Sequence, residues 1–205
     1  GGYLEVDAGG TATGTQVSSA GILELTDGGV ASGTTLTNSA TLYAGSGATA
    51  VGTIVQDGAS LQVQQGGSAS GTVQQGGTTT IFAGASATDT TVTGGALNLV
   101  ESGTATGLTV GSNGTVTVAS SATVVNATVT SGGVVSVSGT LSGASVSDGE
   151  VDVYSGGTVS AASVSDGGSV FVEDGGASVS ASVGSGGYLE VDAGGTATGT
   201  QVSSA

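Results

Sequence analysis

Apolar residues in this chain recur at a spacing of two, and the pair recurs about nineteen residues later. One column runs Leu4, Leu23, Leu42, Leu61, Thr79, Leu97, Val116, Val135, Val151, Val170. Two residues on, a second runs Val6, Leu25, Ala44, Val63, Ile81, Leu99, Val118, Val137, Val153, Val172. A spacing of two places both side chains on one face of a strand. A further column closes a T-x-V-like step at Val17, Leu36, Val55, Val73, Val92, Val110, Val129, Val146, Val164, Val183 and Val202. Another is mostly alanine (Ala12, Ala31, Ala50, Ala87, Ala105) and then Val124, Leu141 and Val159. No stretch carries the 3.6-residue period of a helix, and Gly with abundant Val and Thr weighs further against one.

Turn residues separate these short strands. Asp-Ala-Gly-Gly, Thr-Asp-Gly-Gly, Gln-Gln-Gly-Gly and Tyr-Ser-Gly-Gly mark one corner, and Thr-Ser-Gly-Gly and Ser-Asp-Gly-Gly another. A softer corner precedes each T-x-V step at Gly14, Gly33, Gly52, Asp89, Gly107, Asn126 and Gly143; Gly, Asn and Asp tolerate the left-handed backbone. The pattern predicts an all-β fold: a β-solenoid of about ten rungs of ~18.5 residues with three short walls per rung. At ~4.8 Å per rung, ten rungs make a rod section of roughly 48 Å. A single rung buries too little to stand alone, so stability must come from stacking like columns.

A longer repeat overlies the short one. Residues 1–20 recur letter for letter at 186–205. The whole of 1–205 therefore reads as one continuous solenoid section within a 185-residue tandem super-repeat. Neither end shows a distinct polar cap, and open terminal rungs invite pairing. The expected partners are further copies of the chain, end to end or side by side.

Composition narrows the function. The chain has no Lys, Arg, His, Cys, Pro, Met or Trp, and a net charge of −15. Without basic residues there is no phosphate-binding surface, so nucleic acid is excluded as a partner. Without His, Cys or Lys there is no ordinary zinc site and no activated Ser, Cys or Lys nucleophile, and no catalytic residue is expected. No apolar run is long enough to span a membrane, so no membrane insertion of this segment is expected. A basic n-region followed by an apolar segment is also missing, which makes the sequence read as a mature or excised piece.

The stretch SGGTVSAASVSDGGSVFVEDGGASVSASVGSGG (155–187) resembles the passenger-stalk repeats of AIDA-type autotransporter adhesins. Those repeats are also about nineteen residues long, with paired-Gly corners and T-x-V or S-x-V steps, and the resemblance runs the length of the chain. It implies a right-handed parallel β-helix exported to the surface of a diderm bacterium. There it would act in adhesion, self-association or biofilm, against a host or matrix surface, and would carry O-linked heptose on Ser and Thr. The total loss of Lys, Arg and Pro departs from that family. Two other readings stand beside it: a dedicated extracellular filament built of 185-residue units, and an ice-binding solenoid.

Candidate functional residues follow from the same columns. The residue between the inward positions of the T-x-V step should face outward, which stacks Thr72, Thr91, Thr109, Thr128, Ser145, Ser163 and Ser182 with Gln16, Thr35 and Ile54. Three roles suit such a hydroxyl wall: cross-rung pairing, O-glycan acceptance by the resemblance, and ordering of water. Asp148, Glu150, Asp152 and Asp166 form the densest acidic patch and are the candidates for a shared Ca²⁺, the only cofactor in view. Six aromatics are expected at outward or corner positions. Tyr154 and Phe171, one rung apart, make the best contact patch.

Overall fold

The computed structural model describes residues 1–204. It is a parallel β-solenoid, and every strand pairs with its counterpart one rung on. One rung shows the plan. Ile22–Leu25 forms the first wall, Val30–Ser32 the second, and Thr35–Leu36 the third. The next rung stacks in register, with Leu23 on Leu42, Ala31 on Ala50 and Leu36 on Val55. Both first-wall columns hold as read from the sequence, from Leu4 on Leu23 to Val153 on Val172.

The paired glycines have separate jobs. In the corner Thr26–Gly29 the first, Gly28, adopts φ +90 and makes the turn. The second, Gly29, donates its N–H to the Thr26 carbonyl at 2.8 Å. A Cβ there would collide with the Val6 carbonyl of the rung below, so the close approach of two backbones selects glycine. Gly157 repeats this against the carbonyl of Val137. The softer corner is left-handed in every rung, and each of the seven residues read from the sequence has positive φ.

One rung departs from the expected register. Val73 pairs with Ile54 and Gln74 with Val55, so Gln74 takes the inward position assigned to Val73. Val73 lies half-exposed on the outside, while Gln74 and Thr72 are fully buried. The cause is local geometry: the inward residue is the third after the left-handed one, as Leu36 follows Gly33, and the third after Gly71 is Gln74. In the same region two nine-residue strands, Val73–Ile81 and Thr91–Leu99, run through the corner between the third and first walls. They merge those walls into one 20-stranded sheet, and the second wall remains a separate sheet of 11 strands.

The core is one continuous cluster from Val6 to Val172. The second wall contributes Ala12, Ala31, Ala50, Ala69, Ala87 and Ala105, then Val124, Leu141 and Val159. A buried column just before the T-x-V step holds Thr34, Thr53, Thr72 and Thr90, whose hydroxyls have no hydrogen-bond partner. Further along the rod the column becomes Leu108, Ala127, Ala144, Ala162 and Ala181.

Candidate functional site: the outward hydroxyl columns

The third wall carries most of the expected hydroxyl stack. Thr91, Thr109, Thr128, Ser145, Ser163 and Ser182 pair in unbroken sequence, each on the next. Thr91 is half-buried and the other five are exposed. Each is the second residue after a left-handed corner residue: Asp89, Gly107, Asn126, Gly143, Ala161 and Ser180. That corner turns the following residue into the core and the next one out. Thr72 does not belong to this stack. It is 0 % exposed and joins the buried threonines, because the register of its rung is set by Gly71.

A wider hydroxyl face lies on the second wall, on either side of the inward alanine column. Two outward columns flank each inward residue there. One runs Thr11, Val30, Thr49, Ser68, Ser86, Thr104, Thr123, Thr140, Thr158, Ala177, Thr196. Its companion includes Thr13, Ser32, Ser70, Thr88, Thr106, Ser142 and Ser160. The triplets TAT, SAS and SAT in the sequence are its signature. Some hydroxyls are tied down: Thr49 and Ser68 lie 3.1 Å apart, and Thr104 donates to the Ala85 carbonyl at 3.3 Å. Val30, Val51, Val125, Ala177 and Val179 interrupt the columns, so the face is not an unbroken hydroxyl lattice.

The chain has no His, Lys or Cys, so no imidazole, amine or thiolate stands beside these hydroxyls. Chemically, an exposed hydroxyl can donate and accept hydrogen bonds.

The acidic residues do not converge. Glu150 and Asp152 stand two apart on the first-wall strand Glu150–Val153. Asp148 and Asp166 occupy left-handed corners of successive rungs, with the Asp148 N–H donating to the Asp166 carbonyl at 3.2 Å. Among the described residues no group of three or more Asp, Glu, His or Cys could hold a metal ion, so the four carboxylates offered for Ca²⁺ do not come together as one ligand set, although Asp148 and Glu150 line the same shallow groove. Burial pushes the Asp152 carboxyl above the usual range, and the charges of Glu150 and Glu173 add to the shift.

Aromatic contacts also differ from the expected pair. The ring beside Phe171 is Tyr188, with centroids 5.9 Å apart and planes tilted at 59°. Phe171 pairs with Asp152 below and Glu190 above, while Tyr154 stands 43 % exposed past the strand end. At the other end Tyr3 donates to Glu24 at 2.6 Å. That bond, with burial and the charges of Glu24 and Glu5, pushes its phenol up to about 12. An open groove lined by Gln64, Gln65, Phe82 and Glu101 marks the corner next to the merged walls.

With this geometry in view, the chain compares with one solved structure in particular, the crystal structure of a TibC-catalysed hyper-glycosylated fragment of TibA, TibA55-350. The two share their fold. The TM-score is 0.78 at 28% sequence identity, over 98% of this chain and 82% of the TibA fragment. No family model matches the sequence, and no curated protein matches it either. The AIDA-type expectation therefore rests on this likeness to TibA, a β-solenoid adhesin passenger.

Proposed function

We propose that this chain is a stalk segment of a bacterial cell-surface adhesin, exposed outside the cell, structural rather than catalytic, and modified on outward hydroxyls. The observation that carries this reading is the likeness to the hyper-glycosylated TibA fragment over nearly the whole chain. The columns supply the physics: a rod of stacked rungs gives reach, and outward Ser and Thr give acceptors in register. A surface without Lys or Arg offers trypsin-like proteases nothing to cut. The stalk's partners would be other copies of itself and the surface its cell adheres to.

The test is display of the chain as a passenger on an outer membrane, with and without TibC. The reading expects cells to clump and settle, and the protein mass to rise in sugar increments when TibC is present. Peptide mapping should place sugars on Thr109, Thr128, Ser145, Ser163 or Ser182 and none on Thr72. Dispersed cells with and without TibC would overturn the adhesin reading. An unmodified mass would overturn the acceptor role. The filament reading keeps its own support in the recurrence of residues 1–20 at 186–205.

A further inference from the structure

The same twenty residues occur twice, and the structure places them in two different surroundings. Residues 1–20 have a rung above them and none below. Residues 186–204 have a rung below and none above. The strands are the same in both places, Tyr3–Val6, Thr11–Thr13 and Gln16–Val17 against Tyr188–Val191, Thr196–Thr198 and Gln201–Val202. Their turns match as well, with φ +62 at Gly14 and +67 at Gly199. The long repeat therefore holds a whole number of rungs, and the chain returns to the same phase of the coil after 185 residues.

Burial reports what the missing rung would do. With Ile22–Leu25 and its companions above, Val6 and Val17 are 7 % and 8 % exposed. Their counterparts Val191 and Val202 are 40 % and 80 % exposed. Tyr3 reaches up to Glu24 of the next rung, whereas Tyr188 has only Glu190 of its own strand, at 2.8 Å. The underside is seen only at the other copy, where Leu189 sits on Val170 and Tyr188 beside Phe171. The two sets of contacts use opposite faces of the rung, so one rung can make both at once: the tyrosine ring packs downward while its hydroxyl donates upward.

We propose that the two copies are half-views of one joint, and that the open rung at 186–204 is the seat for residues 21 onward of a further copy of this unit in the same chain. The joint order is then 168–185, the shared rung, and 21–39, with no break in any core column. This inference stands apart from the adhesin reading, since a stalk and a filament would use the joint alike.

The experiment extends the 205-residue chain at its end with its own residues 21–205 and follows amide exchange. The Gly14 N–H donates to the Ser32 carbonyl of the rung above, and the carbonyls of Gly2, Val6, Gly10, Thr15 and Val17 accept from that rung, so in the second copy the Gly199 N–H should gain a partner and the whole rung should be held from both sides against fraying. Amides of residues 188–204 are expected to slow by about tenfold or more against the unextended chain, while those of 116–137 stay the same. Exchange at the unextended rate, or two independent melting transitions, would overturn the proposal. A second version carries Leu23→Asp and Leu25→Asp in the appended copy only. It should lose the slowing, and protection that survives those charges would also overturn the joint.

Discussion

The two halves of the rod fill the same cross-section by different means. In the first half the first wall is rich in leucine (Leu23 with Leu25, Leu97 with Leu99), and the second wall answers with alanine. In the second half the first wall is valine from Val116 to Val172, as at Val116 with Val118 and Val135 with Val137, and the second wall swells to Val124, Leu141 and Val159. Large faces small in one half, and medium faces medium in the other. Interiors pack to a fixed density, so a rung that stacks on its neighbours must conserve volume while its residues change. The halves also differ in polarity. Thr34, Thr53, Thr72, Gln74, Thr79 and Thr90 are all buried in the first half, each with a side-chain polar atom lacking a partner. Ser178 alone matches them between residues 91 and 190.

The comparison can be broken most severely at Leu141. Leu141→Ala empties the second wall where the first wall is valine and should cost ~2–5 kcal/mol by denaturant unfolding. Adding Val135→Leu and Val137→Leu recreates the first-half pattern. The triple variant should recover part of that loss, and purely additive costs would refute volume exchange between walls. Thr53→Val removes a buried hydroxyl without a partner and should raise stability by about 1 kcal/mol. A valine at Ala144, already apolar, should bring no such gain. At the left-handed corner the first rungs use Gly14, Gly33, Gly52 and Gly71, whereas Ala161 holds φ +52 without that freedom. Ala161→Gly should stabilise by up to about 1 kcal/mol, read as a small rise in melting temperature.

The smallest effect is electrostatic. Asp152 has its folded pKa raised by burial and by Glu150 and Glu173. For a raised carboxyl the folded state is favoured while the group is protonated, and that advantage is lost as pH rises through the folded value. Asp152→Asn should therefore be the more stable protein at pH 7. The difference should shrink toward zero as pH falls below the ordinary Asp value of about 3.9. A gap that persists in acid would assign the effect to packing instead of charge.

Most of the fold is legible in the chain because a solenoid writes its core as columns. Leu42 predicts the place of Leu61 with no knowledge of the third dimension. The slip at residues 72–74 shows where that fails. Thr72 and Val73 match the T-x-V step, but rung register follows the left-handed corner, and the third residue after Gly71 is Gln74. Thr72 is buried for the same reason. The second-wall hydroxyl face was present as TAT and SAT triplets, yet only stacking shows that they form adjoining outward columns. The acidic patch is dense in sequence, yet among the described residues no three carboxylates come together as a metal site.

Each rung advances the rod by only ~4.8 Å while storing some nineteen residues of chain. Pulled from its ends, the structure would yield by peeling one rung at a time from an open edge, with the rest still folded. Each rung freed would release ~60 Å of extended chain at ~3.3–3.6 Å per residue. A tether built this way lengthens many-fold under load before any covalent bond is strained, and it can rewind rung by rung onto the template that remains.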